Sequence, residues 1–185
     1  MNKVVSFYSK KNHPLILHQL NDHDLDRLTT YLHHLSDETK KRFSPHPYDK
    51  SSIIKFYSWP NDNAGFVAMD PKQTEIIAYA IIKYGYLQDD KQRLESYGLE
   101  PDKMKCGTYA PSVADAWQGL GIGKAMLGYI LNWLKAAGIE YIILWGGVQT
   151  NNENAINFYT KAGFKTLGSF EHFGTNYDMM LTIEA

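Results

Sequence analysis

The chain has 185 residues, 44% hydrophobic and 21% charged, which is the make-up of one soluble globular domain, residues 1–185. A formal net charge of −1 excludes a general nucleic-acid or membrane-surface binder. Cys106 is the only cysteine, no stretch is long and apolar enough to span a bilayer, and Met1 to Lys11 lacks a signal-peptide core. These features predict a cytoplasmic protein without an intrachain disulfide.

Residues 1–13 read as a leading arm with a short apolar run, Val4 to Tyr8. Leu15 to Leu20 predicts a strand. Asn21-Asp22 offers a helix cap, and Leu25, Leu28, Leu32 and Leu35 follow at helical spacing. His18, His23, His33 and His34 fall here, but a metal site needs convergent Cys or carboxylate partners, so none is predicted. Ser36 to His46 reads as a helix end stopped by Pro45 and Pro47. Tyr48 to Trp59 predicts a helix, broken at Pro60-Asn61-Asp62-Asn63. Ala64 to Met69 and Glu75 to Tyr84 predict an antiparallel hairpin whose apolar run is buried on both faces. Residues 85–104 are an insertion with a short helix at about 89–97, read either as surface decoration or as a lid or homodimer contact. Cys106 to Val113 predicts a strand.

The centre of the sequence is Gln118-Gly119-Leu120-Gly121-Ile122-Gly123-Lys124. It runs into apolar residues Ile122, Ala125, Met126, Tyr129, Ile130, Trp133 and Leu134, which share one helix face. The glycines therefore sit in a strand-to-helix turn. Unpaired amides and partial positive charge at a helix start suit a phosphate or diphosphate. The triphosphate-loop pattern fails because Ala125 stands at the Ser/Thr place. The dinucleotide pattern fails because neither start reaches its third glycine. A glycine turn that serves only helix–sheet packing is the plainer alternative. Downstream, Tyr141 to Trp145 predicts a strand, a helix follows from Asn152, and two closing strands at 164–170 and 175–183 flank a turn at Glu171 to Gly174.

Gln118, Gly121 and Gly123 fill Q/R-x-x-G-x-G/A, and Asn152, Ala155, Phe158, Tyr159, Gly163 and Phe164 make N-x-x-A-x-x-F-Y-x-x-x-G-F. In this order and spacing the pair resembles the GNAT superfamily of N-acyltransferases, over about residues 64–184. Leu35-Ser36 through Arg42-Phe43 and Pro45-His46 resembles a segment of one branch that walls the acceptor side, with one residue fewer before the Arg-Phe pair. There, Arg42, Phe43 or His46 stands near the acceptor, or Phe43 is core. The resemblance implies an α/β (α+β mixed) fold with a mostly antiparallel sheet of about seven strands and helices on both faces.

It also implies acetyl transfer from acetyl-CoA to a primary amine, with a small-molecule or protein amine as acceptor and no nucleic acid, membrane or metal. By that resemblance Gln118, Gly119, Leu120, Gly121, Ile122, Gly123 and Lys124 hold the diphosphate. Ser112 and Val113 pair with the pantetheine arm, Asn152 contacts it or the acceptor side, and Tyr159 meets the sulfur. An ordinary phenol, of pKa about 10, can protonate a departing thiolate. Many members carry a glutamate on the strand that is Lys105 to Ala110 here, and this chain has no carboxylate there. Glu75, His46, His172 and Asp115 are the remaining candidate bases. Cys106 has no base at recognisable spacing and is not expected to be a nucleophile. A non-catalytic acyl-CoA-binding module on the same fold is the alternative; it needs the loop but not Tyr159.

Overall fold

The protein was analysed as a computed structural model that describes residues 4–58 and 62–184. The helix break at Pro60-Asn61 and the helix end at Trp59 lie outside the described residues. Among the described residues the fold is mixed α/β, with nine strands in a mostly antiparallel sheet and six α-helices. The chain divides into two compact units, Met1–Ile82 with Ala110–Ile130, and Lys83–Tyr109 with Leu131–Ala185.

In the first unit β1 (Val5–Tyr8) pairs antiparallel with β2 (Pro14–Gln19), and β2 with β3 (Asn63–Met69). The leading arm thus supplies a ladder strand; its alternating burial is that of an edge strand with one wet face. Asn21 accepts from the His23 amide at 3.0 Å while Asp24 accepts from the Asn21 amide at 3.1 Å, a reciprocal cap. That cap starts a 3₁₀ turn, Asp22–Asp24, which runs into α1 (Leu25–His34), and α1 buries Leu25, Leu28, Tyr31 and Leu32. Ser36 caps α2 (Asp37–Arg42), and Asp49 caps α3 (Lys50–Tyr57). The first seven residues of β4 (Ile76–Tyr84) are all buried, as a strand covered on both faces requires.

In the second unit, residues 85–104 are a packed element. A 3₁₀ turn at Gln88–Asp90 leads into α4 (Lys91–Ser96). Leu94 packs with Tyr86, Cys106 and Ile143. Arg93 donates to Asp178 at 2.6 Å and to Asp90 at 2.7 Å, and Tyr97 donates to Asp178 at 2.9 Å. The first half of β5 (Cys106–Val113) pairs parallel with β6 (Tyr141–Leu144), Cys106 opposite Tyr141 and Tyr109 opposite Leu144. The long helix α5 (Ile122–Ala136), like β4 and β5, runs through both units. β9 (Thr175–Thr182) pairs antiparallel with β6, β7 (Val148–Gln149) and β8 (Lys165–Glu171). β6 stops where Gly146 and Gly147 adopt φ of 65° and 69°. A Cβ on Gly147 would lie 2.6 Å from the Tyr177 carbonyl, so only glycine lets the chain turn there. Asn152 then caps α6 (Glu153–Lys161).

Candidate active site

The loop from Gln118 to Lys124 belongs to the first unit and feeds the 15-residue α5. Gly119 and Gly121 hold φ of 73° and 85°, a region L side chains rarely adopt. A Cβ on Gly119 would meet nothing within 4 Å, and one on Gly121 would meet the Lys10 stem at 3.4 Å. With open space beside Gly119, the loop brings backbone amides to a helix start, an arrangement that suits the diphosphate of coenzyme A. Ile122 is 1% exposed, so its side chain is core and only its backbone is available; Lys124 is exposed.

The leading arm braces this loop. The Lys10 amide donates to the Leu120 carbonyl at 2.9 Å, and the His13 ring meets Trp117 edge-on at 5.4 Å. Sequence reading missed this contact, because no spacing motif links an arm to a loop so far along the chain. Gln118 donates through Nε2 to the Val113 carbonyl at 3.2 Å, tying the loop to the end of β5. Ser112 is buried; its Oγ lies 3.0 Å from the Tyr31 hydroxyl and donates to the Tyr79 carbonyl at 3.4 Å. Its side chain is thus engaged inside the fold, leaving its backbone for a ligand.

The candidate bases differ sharply. Asp115 accepts from the Ser36 amide at 3.1 Å, the Ser36 hydroxyl at 2.8 Å and the Thr39 hydroxyl at 2.8 Å. Burial would raise its pKa, but these bonds outweigh burial and hold it below the ordinary value. It is a clamp between α2 and the segment after β5, and a poor proton acceptor. His46 is buried, and burial lowers its pKa against the opposing pull of the Pro47 carbonyl and Asp49. A carbonyl only accepts, so His46 Nδ1 donates to Pro47 O at 2.7 Å. Its Nε2 then accepts from Tyr79, 3.0 Å away, and Tyr79 in turn accepts from Tyr57. Phe43 is 5% exposed and stacks edge-on with Tyr79 at 5.8 Å, so it is core. Arg42 pairs with Glu38 at 3.0 Å on the surface of α2. Glu75 and His172 are exposed.

Tyr159 and Asn152 belong to the second unit. Tyr159 is 8% exposed on α6, with its ring 5.1 Å from that of Phe164. Burial pushes its phenol well above the ordinary value, so it is a neutral donor at physiological pH. Asn152 Oδ1 accepts from the Ala155 amide at 3.3 Å as the cap of α6, which commits that oxygen and leaves its amide nitrogen. Cys106 is fully buried and burial pushes its thiol up to about 12, which rules it out as a nucleophile near neutral pH. Among the described residues no helix is long and apolar enough to cross a membrane.

The sequence profile of the acetyltransferase (GNAT) family matches residues 28–164. No curated protein sequence matches the chain. Among solved structures, the GNAT domain of S. lividans PAT superposes with a TM-score of 0.76 at 21% identity, covering 97% of this chain and 96% of that one. Ribosomal-protein-S5-alanine acetyltransferase from Vibrio fischeri gives 0.72 at 14% identity, covering 97% of each chain. Aminoglycoside acetyltransferase AAC(6')-Ib, solved in complex with coenzyme A, gives 0.66 at 20% identity, covering 91% of this chain and 94% of that one. At these identities the likeness is one of fold; the family match supplies the activity class. The chain is an acyltransferase and belongs to the GNAT family of acetyltransferases, which implies acyl-CoA-dependent acetyl transfer.

Proposed function

We propose that the protein transfers an acetyl group from acetyl-CoA directly to a primary amine, with Tyr159 as general acid. The observation that carries the reading is the place of that phenol: on the helix that the family motif marks, with its ring packed against Phe164. A tyrosine kept for packing alone would do as well as phenylalanine, its neighbour at 158 and 164.

When bound, acetyl-CoA supplies an acyl carbon activated by its thioester. The amides from Gly119 to Lys124 hold the diphosphate, each bond to a charged acceptor contributing about 1.5–3 kcal/mol. The backbone of Ser112 and Val113 pairs with the pantetheine arm, and the Asn152 amide nitrogen donates to it. Tyr159 gives its proton to the departing sulfur as the C–N bond forms and the C–S bond breaks. The proton of the attacking amine passes to water, since β5 carries no carboxylate and Asp115 is saturated with donors. Tyr159 then regains a proton from solvent.

The test is a panel of small amines, amino sugars and peptides with a thiol-release readout, beside thermal melting with acetyl-CoA, NAD and ATP. Acetyl-CoA is expected to raise the melting temperature and at least one amine to release thiol. Binding only the native state stabilises by about 2.7 kcal/mol at a hundredfold excess over Kd. No shift with any acyl-CoA in a folded sample sinks the proposal. A shift without thiol release on any acceptor leaves an acyl-CoA-binding module instead.

A further inference from the structure

Coenzyme A carries two separate anions, its diphosphate and a 3′-phosphate on its ribose, and the loop amides suit the first. The turn that joins β1 to β2 lies against the same loop, within the first unit. That turn is firmly built. The Ser9 amide donates to the His13 carbonyl at 3.0 Å and the Asn12 amide to the Ser9 carbonyl at 2.9 Å. The Ser9 hydroxyl oxygen accepts from the His13 amide at 3.1 Å, and Ser9 is 6% exposed. Asn12 takes a φ of 61°, which asparagine tolerates better than most side chains. Lys10 and Lys11 thus stand on a fixed backbone with their side chains exposed. A Cβ on Gly121 would lie 3.4 Å from Lys10 Cγ and 3.7 Å from its Cε, so the Lys10 stem runs along the loop.

The charge around this turn is one-sided. Val4 to His13 and Ala116 to Ile139 contain no aspartate or glutamate, in a chain with 20 of them against 19 Lys and Arg. Among the described residues, none of Lys10, Lys11 and Lys124 has a carboxylate at ion-pair distance, whereas Lys50 and Lys105 hold Asp26 and Glu140. Asp115, just before the second stretch, is taken up by Ser36 and Thr39. Cations gathered without counter-charge attract an anionic ligand. Beside them Trp117 is half-buried, with the His13 ring edge-on at 5.4 Å. Cations flanking an aromatic ring are the chemistry that takes a phosphorylated nucleoside, charge to phosphate and ring to base.

We propose that the β1–β2 turn and Trp117 form the seat of the adenosine 3′-phosphate end of the coenzyme, with Lys10 and Lys11 meeting the phosphate and Trp117 the purine. The inference rests on the acetyl-transfer reading above. A phosphate monoester carries a charge of about −1.5 to −2 at pH 7. The turn therefore reads the one group that separates coenzyme A from dephospho-coenzyme A.

Calorimetric titration with those two ligands tests this. The parent should bind coenzyme A about fivefold to twentyfold more tightly than dephospho-coenzyme A, as two exposed ion pairs allow. The preference should shrink at high salt. Lys10→Met and Lys11→Met, made together, keep both stems and remove both charges, and the preference should vanish. The ratio of affinities cancels whatever Lys10 gives to the diphosphate. In ¹⁵N-labelled protein the Trp117 indole signal, identified by its loss in Trp117→Phe, should shift when coenzyme A is added. Equal affinity of the parent for the two ligands, a preference kept by the double variant, or an indole signal indifferent to coenzyme A each overturns the proposal and leaves acetyl transfer standing. If the double variant fails to fold, Lys11→Met alone decides, since it leaves Lys10 against Gly121; an undiminished preference there overturns the proposal. A parent that binds neither coenzyme A nor acetyl-CoA removes the acetyl-transfer reading, and this inference with it.

Discussion

The backbone amide of Lys10 donates to the Leu120 carbonyl at 2.9 Å, and the Lys10 stem lies against Gly121. An exposed ammonium is thereby held beside the glycine loop. Exposed ion pairs contribute about 0.2–1 kcal/mol, so Lys10→Ala should weaken coenzyme A binding up to about fivefold. Lys10→Glu adds repulsion, and a loss on the order of tenfold is expected, shrinking at high salt. Calorimetric titration at two salt concentrations checks this. Equal affinity of the glutamate variant and the parent at low salt would place the ammonium away from the diphosphate.

Tyr159→Phe should leave coenzyme A affinity nearly unchanged and lower kcat and kcat/KM together, as expected for an interaction made mainly in the transition state. A positioned acid contributes about 10²–10⁴-fold, and the low end is expected here because a thiolate is a tolerable leaving group. Burial raises the Tyr159 pKa, so the acid form persists through neutral pH and beyond the ordinary phenol value of about 10. The pH–rate profile of the parent should therefore show no loss of activity from this group between pH 6 and roughly 10. Equal turnover in the two proteins would make Tyr159 structural.

Asp24 is 1% exposed and holds His18 at 3.0 Å and Arg27 at 3.2 Å. Burial alone would raise its pKa; bonds from His18 and the Asn21 amide, with the charges of His18 and Arg27, leave it lowered. A carboxylate lowered in the folded state contributes stability above its unfolded value, and that stability is lost as pH falls through the folded value. The parent should lose this contribution below about pH 4. Asp24→Asn should cost up to about 3–5 kcal/mol at pH 7, the range for breaking a buried pair, and show a flatter acid limb. Urea denaturation from pH 7 to 3 measures both; parallel curves for the two proteins would discount the cluster.

Arg93 joins α4 to β9. Arg93→Met keeps the stem but leaves Asp90 and Asp178, 5% exposed each, without their cation, Asp178 keeping only the Tyr97 hydroxyl as a side-chain donor. Burial already raises Asp90 above the ordinary value, against the opposing pull of Arg93. Leaving buried carboxylates unpaired costs about 3–5 kcal/mol. Chemical denaturation should show a loss of that order, and a loss below 1 kcal/mol would mean that water reaches the carboxylates freely.

The elements that bury a regular pattern were readable: β5 runs over Cys106–Val113 as its composition predicts, and the short helix in the insertion lies within 89–97. β7 is two residues between glycines and a turn, too short for any period to register. β1 has only a half-buried alternation, and its pairing with β2 becomes visible only through the register of Val5 with Leu17. At the site, the loop glycines were legible because their backbone angles demand glycine. The fate of Asp115 was not, because it depends on Ser36 and Thr39, which no local pattern ties to it. Asn152 was half legible: its motif marked a contact, whereas capping is the role its oxygen takes.

The packing of Leu94 over Cys106 makes the chain its own reporter. A thiol buried beneath α4 cannot meet an alkylating reagent until the second unit loosens locally. Its labelling rate in native buffer therefore reads the free energy of that opening, separately from global unfolding. With one cysteine in the sequence, the signal is unambiguous without engineering. Protection that rises with acetyl-CoA would show that ligand occupancy is felt as far as the inserted segment.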